Sequence, residues 1–459
     1  MWLVMSRHSP SINGFKTWLC AHPVLSILVI GLIIRVPLSI ALTYSYDAMY
    51  WTMIIENIIA GTGLYELPGY YYTPVWGYFI SFVGMVGSTL FGINTLGDLA
   101  PELVASKGTA WEYYHELLSS VEYAFVFKML FTIADVVISW LLYRIVFRYT
   151  GDVKKASFAF ALWFLCPIVV YTSCVHAMFD SLAIMFIVFA VYFLLERRYL
   201  LAGVAFALAS WGKLFPVYLI FILSSYVIKR SQLDGESYVR NLGSSIIGAF
   251  VASLIVILPN IIQGDVSSAF IFLTSRVEDI GGGGDDIWDS VSSSGYLIVL
   301  MLQPLIIGLQ LLFAYKTVKG DDLDQNFLLY GMLSAVCIFL WTPTPTYLLI
   351  MLPFIILYSI IKDHRYLWTF ALISISAVIY AMVMHNYSVF FPLEHFFGFV
   401  SPEFVLDGVG WMDSIGLFGV TNQNMINVIS GAIETLSIYS VLILFIYSLR
   451  RDSSYAETS

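Results

Sequence analysis

Five short polar motifs stand out in a chain that is otherwise strongly apolar. They are Ser45–Tyr46–Asp47, Tyr72–Thr73–Pro74, His176 to Asp180, Lys213 to Pro216 and Thr342 to Tyr347. Polar and ionisable groups at membrane depth are costly, so they usually mark function. When membrane spans are assigned from the apolar runs, all five motifs reach the same membrane surface. We therefore expect them to form one site.

Two of these residues have side chains suited to group transfer. Asp47 follows the outer end of the first apolar run, where a carboxylate can act as a general base on an acceptor hydroxyl. Lys213 ends an outward-going helix, where an ammonium can hold a phosphate as a point charge. Alternatives stay open for both, because solvated loop aspartates are common and lysines at helix ends often extend to the membrane surface.

Three further residues are candidates for the lining of a substrate cleft. Tyr72 ends a run of three tyrosines, whose rings suit the apolar faces of sugars or an interfacial aromatic belt. His176 and Asp180 lie at an outer helix junction. Asp180 either faces the cleft or caps the helix that begins there.

Other charged residues allow a functional and a structural interpretation. Arg276 is the cation of an outer loop, where it could contact a phosphate or the neighbouring Glu278. Arg35 and Asp135 lie inside apolar runs and would be too costly unpaired, so we predict an ion pair between them, although Arg35 could also lean toward the site. Gly281 to Gly284 could be part of a mobile lid or of a plain linker.

The composition excludes a soluble protein. Of the 459 residues, 59% are hydrophobic and 12% are charged, and the mean hydropathy is +0.83. Soluble domains carry roughly 25% charged residues. We therefore predict an all-α polytopic membrane protein, built as one integral membrane domain over residues 1–459, with membrane lipids around it and no nucleic-acid partner. The four cysteines have no metal-ligand spacing and are expected to be buried.

Apolar runs near the length of a helical span predict about twelve transmembrane helices. They lie near residues 24–43, 123–147, 156–176, 180–195, 199–213, 214–228, 242–261, 294–315, 326–342, 346–361, 366–384 and 424–448.

One apolar stretch, residues 73–93, is excluded from this count. When it is taken as a re-entrant or interfacial segment, most of the 22 Lys and Arg fall on the cytoplasmic side, as the positive-inside rule requires. Both termini are then cytoplasmic. Three outer segments follow from this topology, at residues 44–122, 262–293 and 385–423.

The stretches around these motifs resemble the GT-C superfamily of membrane glycosyltransferases, and within it the GPI mannosyltransferase I family and its archaeal relatives. The resemblance covers residues 40–225 and, in looser form, 340–357. It is strongest in four stretches, namely Tyr71 to Pro74, Lys128 to Arg144 around Asp135, Ala177 to Leu195 around Asp180, and Lys213 to Val217.

This resemblance implies a GT-C-like helix bundle and an inverting transfer of one sugar, with mannose expected, outside the cytoplasm. The implied partners are a polyprenyl- or dolichyl-phosphate sugar donor and a lipid- or glycan-linked acceptor. Asp47 matches the second acid of an Asp-x-Asp pair and is implied to be the general base, while Ser45 replaces the first acid. One carboxylate makes a poor divalent site, so we assign no metal and no other cofactor.

The remaining roles are also implied by the resemblance. Lys213 matches a Lys-x-x-Pro position near the lipid phosphate, which Arg276 would share. Asp180 matches an acidic residue that faces the same site. Tyr347 matches the tyrosine of an outer His/Gln–Tyr turn, where Thr346 replaces the amide, and it would line the cleft with Tyr72 and His176.

Two other functions remain open. A transporter or flippase for a polar lipid or sugar would place polar residues along a path to both membrane faces. A non-catalytic subunit of a glycan-assembly complex would keep the same motifs without catalysis. We favour the mannosyltransferase, in a cell membrane rather than the endoplasmic reticulum.

Overall fold

A computed structural model describes most of the chain. The described residues are 22–61, 63–66, 70, 72–92, 96–99, 117–119, 121–273, 287–320, 322–340 and 344–458. They are almost entirely helical, apart from one antiparallel pair of short strands, β1 (Leu96–Leu99) and β2 (Leu117–Ser119).

Seventeen α-helices follow one another along the described residues. They are α1 Pro23–Ala41, α2 Ser45–Ile59, α3 Pro74–Phe91, α4 Val121–Thr150, α5 Val153–Phe164, α6 Pro167–Tyr171, α7 Asp180–Leu195, α8 Tyr199–Gly212, α9 Ile220–Leu233, α10 Tyr238–Gln263, α11 Ile287–Lys319, α12 Leu323–Cys337, α13 Leu352–Ile361, α14 Tyr366–His385, α15 Phe391–His395, α16 Pro402–Asp413 and α17 Asn422–Thr458.

Short 3₁₀ or π segments connect several of these helices. The 3₁₀ segments are Leu64–Glu66, Phe215–Leu219, Ser267–Leu273, Pro345–Ile350, Asn386–Phe390 and Leu417–Gly419, and the π segment is Thr172–His176.

The helices support a multi-pass membrane protein with fewer long spans than predicted. Within the described residues, six helices are long and apolar enough to cross a bilayer, and the pair α5–α6, bent by 46°, makes up to seven. Several predicted spans correspond to shorter helices, namely α7, α8 and α13. The predicted number of twelve is therefore not confirmed, because a helix of 10–17 residues is shorter than the roughly 20 residues a span needs.

Helix α3 takes up Pro74–Phe91 of the stretch 73–93, which we predicted to be re-entrant or interfacial. Pro74 occupies its first turn, where a missing N–H has no cost, and Gly92 ends it in the left-handed conformation. The ring of Trp76 stacks on Phe179 at 4.2 Å and meets Trp51 of α2 edge-on. These aromatic contacts hold α3 beside the start of α7.

The predicted ion pair between Arg35 and Asp135 is confirmed. The two side chains are fully buried and 2.7 Å apart. Asp135 also accepts hydrogen bonds from Ser173, Ser181 and Trp163. Since a buried charge is tolerated only when it is paired and hydrogen-bonded, this network fixes α1, α4 and the π segment against each other.

A buried lysine holds the end of α1. Lys128 Nζ donates to the carbonyl oxygens of Ser39 and Leu42 and to Thr43 Oγ1, at 3.0, 2.6 and 2.7 Å. The last carbonyls of a helix have no partner within it, so a donor placed there satisfies them. The lysine therefore sets the direction in which the chain enters α2, which carries Asp47.

Candidate functional site

The first pair of the site joins the beginning of α2 to the end of the π segment. Asp47 is in the first turn of α2, and His176 is the last residue of the π segment. Asp47 Oδ2 and His176 Nε2 are 2.6 Å apart, and both side chains are largely buried. The hydrogen bond from the Tyr44 N–H to the Val175 carbonyl brings the two segments together. Ala177, with a φ of 59°, then ends the segment in a left-handed turn.

A second histidine extends this pair. His385, the last residue of α14, lies with its ring 4.0 Å from that of His176 and is stacked at 4.0 Å on Tyr44. Its Nδ1 is 3.0 Å from the hydroxyl of Tyr171. Residues from three parts of the chain thus meet around His176, and Asp47 is buried against that histidine rather than isolated in solvent.

The second pair lies at the start of α7. Asp180 is the first residue of that helix, and Lys213 follows the last residue of α8. Lys213 Nζ is 3.4 Å from Asp180 Oδ1 and lies over the rings of Phe179 and Tyr347, at 4.6 and 4.7 Å from their centres. The lysine side chain is only 10% exposed, so it is packed inside the protein rather than extended away from it.

Asp180, Lys213 and Tyr347 meet here, but they contact one another, whereas we expected each to face a substrate. Asp180 does not cap its helix, since Phe179 holds the cap position without a side-chain hydrogen bond. It neutralises Lys213 instead, and Tyr347 covers the ammonium. Tyr72 is joined to this group through Phe179, with ring centres 5.6 Å apart.

Parts of the prediction lie outside the described residues. Arg276, Glu278 and the glycines from 281 to 284 belong to the segment 274–286, and Thr342 belongs to 341–343. We name the described residues Asp47, His176, Asp180, Lys213, Phe179, Tyr347 and His385 the polar cluster.

The polar cluster contains hydrogen-bonding atoms that are not satisfied within the described residues. Lys213 Nζ, Asp180 Oδ2 and His176 Nδ1 are buried there without a hydrogen-bond partner. Leaving such an atom unpaired costs about 1–3 kcal/mol. Because these atoms lie beside aromatic rings, the arrangement can bind a molecule that offers both hydroxyl groups and apolar faces.

Metal binding is not suggested by the geometry. Within the described part of the chain, no group of three or more His, Cys, Asp or Glu is placed to hold a metal ion.

The sequence alone did not single out several residues that shape the site. His385, Tyr44 and Tyr171 were missed, although a histidine near the end of an apolar run is a usable signal. Lys128 marked only the start of the stretch Lys128 to Arg144 in the sequence, although a lysine within a predicted span is a signal of a buried role. Phe179 was passed over because a phenylalanine in an apolar chain has no distinguishing pattern.

One comparison with known proteins identifies a related family over part of the chain. The family model described as GPI transamidase subunit PIG-U matches residues 107–277. The match covers α4 to α10 and includes His176, Asp180 and Lys213. It spans less than half of the 459 residues. No curated protein matches the chain.

The match overturns the prediction of a GT-C mannosyltransferase. It falls on Lys128 to Arg144, Ala177 to Leu195 and Lys213 to Val217, the stretches that carried most of that resemblance, and a transamidase subunit is not a glycosyltransferase. The polyprenyl-phosphate sugar donor is withdrawn with it. The structure supplies a physical reason for the error. Asp135 in these stretches serves helix packing, a need that membrane proteins of different function share.

The predicted location needs a similar correction. The helices support a multi-pass membrane protein. A match to a GPI transamidase subunit does not support the preference for a cell membrane over the endoplasmic reticulum.

Proposed function

We propose that this chain is a non-catalytic membrane subunit of a complex that acts on glycosylphosphatidylinositol (GPI) or a related glycolipid. The match of residues 107–277 to a GPI transamidase subunit carries the proposal. Support comes from the location of the match, since residues 107–277 contribute four members of the polar cluster, His176, Phe179, Asp180 and Lys213.

The surroundings of the thiols support a non-catalytic role. Exchange of one amide for another through a covalent intermediate needs an activated nucleophile next to a base. Cys166, Cys174 and Cys337, the cysteines within the described residues, are all buried. Cys166 Sγ contacts Ser374, and Cys174 Sγ contacts Arg35 and Thr132, so neither lies against a histidine in these contacts. We therefore assign the nucleophile to another subunit.

The polar cluster is proposed to hold the glycan part of the glycolipid. The polar cluster holds two carboxylates, Asp47 beside His176 and Asp180 beside Lys213, so an anionic ligand would add a third negative charge and meet their repulsion. A neutral, hydroxyl-rich group meets no such repulsion. Sugar hydroxyls can pair with the unsatisfied atoms, and the ring of Tyr347 suits the apolar face of a sugar.

The test is reconstitution of the complex with and without this chain. Full-length tagged protein, purified in mild detergent from the membranes of its own cells, should bring partner membrane proteins with it. The complete complex should attach GPI to a reporter peptide, whereas the chain alone and the complex depleted of it should not. Attachment by the purified chain alone would refute the proposal, as would full activity of the depleted complex.

A pair of variants separates the site from assembly. Tyr347→Leu removes the ring over Lys213 and should weaken glycolipid binding by about tenfold, which corresponds to about 1.4 kcal/mol. Tyr315→Leu is the control, because this exposed tyrosine of α11 lies outside the polar cluster. Both variants should assemble with the partners, and equal glycolipid binding by the two would contradict the assigned site.

A further inference from the structure

A groove lies at the other end of α7 from the polar cluster. Asp180 is the first residue of this 16-residue helix and Glu196 follows its last, which separates the two sites by about 24 Å along the helix axis. The groove has a volume of about 570 Å³. It is lined by Trp140, Tyr143, Arg144, Phe147 and Arg148 of α4 and by Tyr192 and Glu196.

One wall of the groove is a ridge of parallel aromatic rings. Trp140 stacks on Tyr143 with ring centres 5.2 Å apart and planes 4° apart, and Tyr143 stacks on Phe147 at 6.1 Å and 7°. Trp140 and Phe147 remain 46% and 41% exposed. The ridge therefore offers a flat apolar surface along an outer face of α4, where a hydrocarbon chain can lie.

The end of the groove is positively charged. Arg148 pairs with Glu196 at 2.5 Å, and both side chains stay partly exposed. Arg144 is exposed, and the described residues contain no ion-pair partner for it. Lys154 and Lys155, at the start of α5, are also exposed. Two cations against one carboxylate leave the groove itself with one positive charge.

We propose that this groove binds an anionic phospholipid, with the phosphate on Arg144 and Arg148 and an acyl chain along the aromatic ridge. Arginine pairs with phosphate through two parallel N–H donors. The groove lies at the end of a candidate membrane span, Ala124–Thr150, which is the depth of the lipid headgroups. Because the two arginines lie at headgroup depth, a lipid of the surrounding leaflet is a better candidate ligand than an acidic segment of a partner protein.

The pairing between Arg148 and Glu196 makes the proposal specific. A carboxylate at this position competes with a phosphate for the guanidinium of Arg148. Removing it should raise the affinity for an anionic lipid, whereas an arginine that only extends to the surface would give no such increase. Glu196→Gln and Arg144→Gln should thus change lipid binding in opposite directions.

The experiment measures the lipid retained by the purified full-length protein. Detergent-solubilised protein is mixed with equal amounts of phosphatidylglycerol and phosphatidylcholine, and native mass spectrometry counts the bound molecules. Wild type should retain phosphatidylglycerol in preference to phosphatidylcholine. Arg144→Gln should lower this preference by about fivefold and Glu196→Gln should raise it by a similar factor, the change expected for one charge at a membrane surface.

Arg240→Gln is the matched control. Arg240 is an exposed arginine near the start of α10, it lies outside the groove, and its partner Glu236 is also exposed. Its removal should leave the lipid preference at the wild-type value. An equal preference in Arg144→Gln and Arg240→Gln, or no increase in Glu196→Gln, would overturn the proposal. So would cross-linking of the groove to a protein of the complex instead of lipid retention.

Discussion

Asp47 and His176 are separated by 129 positions in the chain, and their side chains form a 2.6 Å contact that links α2 to the π segment before α7. Both side chains are largely buried, and this contact is the main polar interaction that either of them makes. The pair therefore organises the polar cluster from one side, as Asp180 and Lys213 organise it from the other.

Loss of the first pair should destabilise the protein. Asp47→Ala leaves His176 buried without this acceptor, at a cost of about 1–3 kcal/mol. The apparent melting temperature in detergent should fall by several degrees. Asp407→Ala removes an exposed aspartate of α16 and should leave the melting temperature unchanged. Equal melting temperatures of the two variants would contradict this prediction.

The pair of Arg35 and Asp135 should show coupled effects. Asp135→Leu leaves a fully buried guanidinium without its carboxylate, and breaking such a pair costs about 3–5 kcal/mol. Arg35→Met combined with Asp135→Leu should be more stable than Asp135→Leu alone, because no uncompensated charge remains. Thermal unfolding of the single and double variants measures the coupling. A double variant less stable than either single one would argue against the ion pair as the cause.

Lys128 should be required for the end of α1. Lys128→Met keeps most of the side-chain volume but leaves the carbonyls of Ser39 and Leu42 without this donor. We expect lower thermal stability and faster proteolysis between α1 and α2, because the capping interaction is lost. Lys155→Met, at an exposed position of α5, is the control. Equal proteolysis rates in both variants would exclude the capping role.

The topology predicted from the positive charges can be tested by accessibility. Ser401 and Ser237 cap α16 and α10, and both are exposed. In a Cys20→Ser background, Ser401→Cys should react with a membrane-impermeant maleimide in sealed right-side-out vesicles. Ser237→Cys should react only after permeabilisation. Labelling of both from the same side would reject a topology that places 385–423 outside and the α9–α10 turn inside.

The described cysteines set the background of that experiment. Cys166, Cys174 and Cys337 are buried, so the maleimide should not modify them before unfolding. Modification of the Cys20→Ser protein without an added cysteine would show that one of these thiols is accessible.

The sequence by itself determined the class of protein and the need for certain pairs. Apolar runs of helical length predict membrane helices, because every backbone N–H and C=O in lipid needs a hydrogen-bond partner and a helix supplies these partners within the segment. The same cost required Arg35 and Asp135 to find opposite charges, and each is the other's partner in the fold. It also directed attention to Asp47, His176, Asp180 and Lys213 as polar residues in an apolar chain.

Only the tertiary structure decided which of these residues meet. Lys213 could equally have faced a ligand or solvent, but the packing of α7 against α8 places it against Asp180. His385 reaches His176 because α14 ends beside the π segment, more than 200 positions later in the chain. Hydrophobic periodicity is a local property, whereas the neutralisation of a charge depends on helices brought together from distant parts of the chain. The motif around Asp135 resembled that of a transferase, but the structure shows that this aspartate serves helix packing. The sequence alone could not separate the two roles, because it does not show which helices meet.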